Sequence, residues 1–142
     1  SGSEYNVVDG VTVIEDSAFA YCTSLSNVVV SDSVKSIGWY AFSDCSSLTS
    51  VVLGNSLTSL GDYVFSRTSS SFTSLKIPYS LWSNNGISSN TFYNGYKSGT
   101  TYTCYITTLC YVKGATTCTA GTSTVGGKSM TIKCIEEGDT CP

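Results

Sequence analysis

Histidine is absent from the 142 residues. Its absence excludes Ser-His-Asp and Cys-His nucleophile systems, imidazole metal sites and histidine general bases. Arginine occurs once, as Arg67, methionine once and proline twice. Charged residues make up only 12% of the chain, ten acidic against seven basic, for a net charge of −3. A weakly acidic chain without a basic stripe has no electrostatic claim on nucleic acid or on an anionic membrane surface. Long apolar runs are missing as well, since Val28-Val29-Val30 and Val51-Val52-Leu53 fall far short of the roughly 20 residues of a spanning helix. No transmembrane segment is expected. No asparagine has serine or threonine two positions on, so there is no N-glycosylation sequon. Ser1-Gly2-Ser3-Glu4 has neither the basic start nor the apolar stretch of a leader, and a mature or trimmed chain is expected. No acid, base and nucleophile set emerges, so neither an enzyme nor a cofactor is expected.

What the chain does hold is a 41% hydrophobic fraction, enough to build a core at this length. It also carries 26 serines and 19 threonines, which make a polar surface with little charge. Of seven cysteines, five fall from Cys104 onward. Such density points to an oxidising compartment, hence to a secreted or cell-surface protein.

A fixed period of 23 residues organises the first half. Val11, Val34 and Leu57 stand 23 apart, as do Ile14, Ile37 and Leu60, and Phe19, Phe42 and Phe65. Ala18, Ala41 and Val64 keep the same step, and Cys22 and Cys45 follow it. One extra residue within Ser69-Ser70-Ser71 shifts the phase, after which Val28, Val51 and Leu75, then Val30, Leu53 and Ile77, align. Repetition of residue size at a fixed step is the signature of a solenoid, in which each coil buries its apolar side chains against the next. Within each coil, Val28-x-Val30, Val51-x-Leu53 and Leu75-x-Ile77 alternate as a short strand. Apolar residues at 37, 41, 42, 45 and 48 suggest a short helix or 3₁₀ turn. Tyr5 and Val7 match Val28 and Val30, so the array opens on a half repeat.

The segments Ser17-Ala18-Phe19-Ala20-Tyr21-Cys22-Thr23-Ser24-Leu25 and Ile37-Gly38-Trp39-Tyr40-Ala41-Phe42-Ser43-Asp44-Cys45-Ser46-Ser47-Leu48 resemble the BspA-like, or Treponema pallidum-type, leucine-rich repeat. The third copy departs from the pattern, with Val64 for alanine and Thr68 for cysteine. The resemblance covers roughly residues 5–81. It implies a curved solenoid from a surface or secreted protein, often adhesive, and does not fix a ligand.

The fold expected is therefore an α/β solenoid of about three 23-residue leucine-rich repeat coils, followed by a small cysteine-rich β unit. Residues 1–10 form the half repeat or N-terminal cap, 11–82 the solenoid, 83–99 a degenerate repeat or linker, and 100–142 the cysteine-rich unit that would cap the open end. Ile87, Phe92 and Tyr93 are the apolar residues of the degenerate segment. Cys22 and Cys45 occupy one site on adjacent coils and are read as buried thiols in preference to a mutual bridge. Cys104, Cys110, Cys118, Cys134 and Cys141 permit two disulfides and one leftover, with connectivity open. Zinc is disfavoured for this cluster, which contains no Cys-x-x-Cys knuckle.

Other motifs have plain explanations. Glu15-Asp16 aligns with turn positions, Glu136-Glu137-x-Asp139 reads as a polar tail without a calcium loop, and Val125-Gly126-Gly127-Lys128-Ser129 reads as a hairpin turn without the leading glycine of a phosphate loop. The inward phase of Val28 and Val30 puts Asn27, Val29 and Ser31 on the outer face of the strand. The aligned outward residues are Ser50 and Val52, then Ser74 and Lys76, with Val8, Val29 and Val52 expected to form an apolar row ending at Lys76. This sheet face is the candidate surface for a protein or glycan partner. The competing reading is a structural spacer or capping segment of a larger surface protein, with no ligand of its own.

Overall fold

The computed structural model describes residues 3–84, 86–88, 90–95, 97–98, 101–102, 104–113, 118–125 and 128–141. Ser1, Gly2 and the Gly126-Gly127 pair of the expected hairpin turn lie outside the described residues. In chain order the elements are β1 (Ser3–Val7), β2 (Val13–Ile14), β3 (Leu25–Val30), β4 (Ser36–Ile37), β5 (Ser50–Val52), β6 (Ser59–Leu60), β7 (Ser74–Ile77), α1 (Tyr79–Ser83), β8 (Lys97–Ser98), β9 (Thr101–Tyr102), β10 (Thr108–Val112), β11 (Gly121–Val125) and β12 (Lys128–Ile135).

One face of the solenoid is built from parallel strands, with β1, β3 and β5 in one ladder and β7, β10 and β12 in the next. β5 stands beside β7. β11 closes the far edge by pairing antiparallel with β12, as a hairpin. A narrower ladder of β2, β4 and β6 runs along a second side, and β8 with β9 forms a small antiparallel pair.

The strands β1, β3, β5, β7, β10 and β12 mark about five turns, and this corrects the expectation of three coils. The strand phase is lost after β7 because the next turn is longer, with Leu75 paired to Leu109. It then recovers the step of 23, since Leu109 pairs with Ile132 and Cys110 with Lys133. The longer turn is held by buried Asn94, whose Nδ2 donates to the Phe72 carbonyl at 2.9 Å while its Oδ1 accepts from the amides of Tyr105 and Ile106 at 2.6 and 3.1 Å. Gly86, Asn90 and Asn94 continue the stack, because their carbonyls accept from the amides of Leu60, Tyr63 and Thr68.

The expected short helix in each coil is also corrected. The one α-helix among the described residues is α1, five residues long. The stretch over 17–22 in one coil and 40–45 in the next is a series of turns whose alternate amides bond to the following coil: Phe19 to Ala41 and Tyr21 to Ser43, then Phe42 to Val64 and Asp44 to Ser66, at 2.8 to 2.9 Å. Left-handed residues interrupt any helix there, at Ser17, Tyr40 and Tyr63 with φ of 58°, 56° and 55°, and at Tyr21, Asp44 and Arg67 with φ of 66°, 60° and 57°. The apolar spacing reports which residues face inward, and turns satisfy it as well as a helix does.

Inside, the aligned phenylalanines form a column. Phe19 stacks on Phe42 at 5.2 Å and Phe42 on Phe65 at 6.1 Å, with Tyr5 over Phe19 at 5.1 Å and Phe72 edge-on to Phe65. Val28, Val34, Ile37, Leu48, Leu57, Leu75 and Ile77 are buried beside them. Leu109, Met130 and Ile132 extend the same core under β10 and β12.

Candidate binding face

The outer sheet face carries the residues singled out for binding, and the strand register decides which of them meet. Asn27 pairs with Ser50 and Val29 with Val52, while on the other side Asn6 pairs with Val29. The row across the strands is therefore Asn6, Val29 and Val52. Val8 is not part of it: a step of 23 from Val29 lands on position 6, and Val8 lies beyond the end of β1 in the phase of Ser31. Val8 is still 66% exposed and Val52 50% exposed, while Val29 is half-buried.

The chain's own C-terminal segment crosses this face. Cys110, which pairs with Lys76 on the outer face, is bonded to Cys141. The Lys76 ammonium donates to the Asp139 carbonyl at 2.8 Å, and Asn55 Nδ2 donates to Glu137 Oε1 at 2.6 Å. A second disulfide joins Cys118 to Cys134 on β12, and the Lys113 ammonium meets the Glu136 carboxylate at 2.9 Å. That hydrogen bond and the negative charge raise the Lys113 pKa.

The strap divides the face into two grooves. The larger, of about 770 Å³, has a floor of Val29 and Val52 and is flanked by Ser31, Lys76, Glu137 and Gly138. The smaller, of about 330 Å³, brings Ser50, Ser74 and Lys76 together with Asp139 and Cys141. Asn27 borders neither groove; its side-chain amide donates to the Ser26 hydroxyl. Gly54 lies in the larger groove because only hydrogen fits there: a Cβ would stand 2.3 Å from the Ser31 carbonyl oxygen.

Charge at the larger groove is predominantly acidic, from Asp9, Asp32 and Glu137 against Lys76. Asp9 accepts from the Ser31 hydroxyl and Asp32 from the Asn55 amide, which fixes both carboxylates at the rim. The arrangement is an apolar floor with an acidic edge, suited to holding an apolar side chain with basic neighbours.

The remaining thiols lie elsewhere. Cys22 is half-buried, and buried Cys45 donates to the Phe19 carbonyl at 3.2 Å. Burial pushes the Cys45 thiol up to about 11. Cys104 also stays outside both bridges, with its sulfur 2.8 Å from the Phe92 carbonyl. Glu15 and Asp16 are exposed, and Asp16 accepts the Trp39 amide of the next coil. Among the described residues no group of acidic and cysteine side chains could hold a metal ion, and no helix is long and apolar enough to cross a membrane.

The strap is the feature that sequence reasoning missed. Its signal was the renewed step of 23 from Leu109-Cys110 to Ile132-Lys133, which places Cys110 in the outward phase and so requires its partner Cys141 to reach over the face.

Comparison with known proteins follows the same repeat. The family model for the BspA type leucine rich repeat region, in six copies, matches residues 3–111. Among solved structures, a leucine rich cell surface protein from Faecalibacterium prausnitzii A2-165 superposes with a TM-score of 0.56 at 25% identity, over 77% of this chain and 26% of that one. The leucine-rich repeat protein of T. pallidum gives a TM-score of 0.48 at 22% identity, over 77% of this chain and 58% of that one. The chain thus spans about a quarter of the length of the first and somewhat over half of the second. None of the curated proteins matches. With the repeat matched from the first strand to β10, the chain belongs to the BspA-type leucine-rich repeat family.

Proposed function

We propose that the chain is a protein-binding module of a secreted or cell-surface protein, serving adhesion or partner recognition through the outer face of its sheet. The observation that carries the reading is the valine floor of the larger groove, Val29 and Val52, laid open on a surface otherwise dominated by serine and threonine. An exposed apolar patch with a polar rim is the usual form of a recognition site, and serine at these positions would have served a strand on a bare surface equally well. The acidic rim favours a partner segment with an apolar anchor flanked by lysine or arginine. No catalytic step enters this reading, and a glycan is a weaker candidate for this face because the floor lacks aromatic rings.

A second reading, a spacer or capping segment with no ligand of its own, is favoured by the strap, which already occupies the Lys76 and Asn55 side chains. Hydrogen exchange separates the two. The chain would be screened against a panel of extracellular-matrix proteins and its amides followed with the captured protein bound. Protection gained over residues 27–31 and 50–55 supports the module; no capture, or protection confined to other surfaces, supports the spacer.

A further inference from the structure

A third groove, of about 460 Å³, lies away from the sheet on the turn side of the coils. It is itself a repeat. Its nine lining residues are the same three positions taken from three successive coils: Ser17, Tyr40 and Tyr63 form one wall, Ala20, Ser43 and Ser66 the floor, and Tyr21, Asp44 and Arg67 the other wall. Both walls are made of residues in the left-handed region. Tyrosine there costs more than glycine or asparagine would, yet Tyr21, Tyr40 and Tyr63 all adopt it. The phenylalanine column stays uniform from coil to coil, as Phe19, Phe42 and Phe65, while the second wall changes residue type at each step and the first wall changes once, from Ser17 to tyrosine.

Along the first wall the rings are stacked, Tyr40 on Tyr63 at 5.5 Å and Tyr63 on Tyr93 at 6.4 Å. The stack stops at Tyr40. The next position is Ser17, held in the same phase by its amide bond to the Trp39 carbonyl, as Tyr40 is by its bond to Asp62. A serine where its neighbours carry rings leaves the outer side of Tyr40 without a stacking partner in the wall, and Tyr40 is 42% exposed. Tyr21, 73% exposed, borders the same opening.

We propose that this groove binds a neutral glycan, with one pyranose ring taking the missing place in the stack above Ser17 and a second lying along the floor. Three coils at the spacing of paired strands give a groove about 10 Å long, suited to one or two rings. The C–H face of a pyranose is electropositive and packs on the negative face of an aromatic ring. The polar groups select among flat ligands. Asp44 is held by the Ser43 hydroxyl at 2.7 Å and by Arg67 at 3.6 Å, so its carboxylate is a fixed acceptor whose charge is offset within the groove. A ligand here must bring donors and need bring no charge. Vicinal hydroxyls do so, whereas a proline-rich peptide, which also stacks on tyrosine, lacks the N–H groups to meet a carboxylate.

This site is independent of the sheet face. The test is saturation-transfer NMR with lactose, cellobiose and maltose, extended on a neutral-glycan array, with a proline-rich peptide as comparator. S17Y would fill the vacancy with the chain's own ring, in a backbone conformation its neighbours already adopt with tyrosine, so its fold is expected to survive and its melting temperature would verify that. The proposal expects glycan binding that weakens at least tenfold in both S17Y and Y40A and persists in a V29K/V52K variant. Absence of any glycan signal, a signal unchanged in folded S17Y, or binding of the proline-rich peptide alone would overturn it.

Discussion

Cys110 on β10 is bonded to Cys141, 31 residues further on, across the outer face of the sheet. The bond fixes Glu137 and Gly138 as one side of the groove over Val29 and Val52. Replacing both cysteines by serine should release the strap. Hydrogen exchange at 136–140 should accelerate while β3 and β5 keep their protection. Closing a loop of this length is worth about 3 to 4 kcal/mol in the chain-entropy account, and denaturant unfolding would show a loss of that order. Retained protection across the strap would mean that the Lys76 and Asn55 contacts suffice without the bond.

Phe42 is the central member of the phenylalanine column and is buried. Its replacement by alanine removes stacking on both sides and leaves a cavity, at about 3 to 5 kcal/mol. A loss below about 1 kcal/mol in denaturant unfolding would contradict the column.

Gly54 meets the Ser31 carbonyl of the preceding coil at a distance that a Cβ would cut to 2.3 Å. Gly54→Ala should therefore force neighbouring coils apart and lower the melting temperature, even though alanine relieves unfolded-chain entropy. A variant as stable as the parent would show that the coils approach less closely there.

Alkylation of the denatured, unreduced chain should label three thiols, Cys22, Cys45 and Cys104, leaving the two bridges intact. In the native chain Cys22 should react before Cys45. The pH dependence follows from the raised Cys45 value. Below pH 9.0 the thiol is protonated in both states and contributes no slope. Between 9.0 and about 11 the unfolded chain loses this proton and the folded one keeps it, so stability falls as pH rises through that window. Cys45→Ala should flatten the fall; an unchanged slope would assign it to other groups, such as Tyr111, whose pKa burial also raises.

Much of this was legible from side-chain size at a fixed step. The step of 23 identified the phenylalanine column, the inward valines and the outward phase of Val29 and Val52, because buried positions in stacked coils tolerate little change in volume. Local conformation was less legible. Spacing at 37, 41, 42, 45 and 48 identifies an inward face but not the backbone that makes it, and here left-handed residues with bonds between coils replaced the expected helix. The last coils were hidden by the longer turn from Leu75 to Leu109, which breaks the strand step while Asn94 preserves the stack. The row of valines was misplaced at Val8 because that residue lies past the end of β1, where the pairing with β3 had already been used up by Asn6 and Val7.

The central claim is that the valine floor is a recognition surface. The most direct measurement is the dissociation constant of the captured matrix protein for three chains: the parent, V29K/V52K, and a control T23K/S46K with the same added charge at exposed positions away from the sheet face. The account predicts equal affinity for parent and control and at least a tenfold loss for V29K/V52K with an unchanged melting temperature. Equal affinity in all three chains would contradict it.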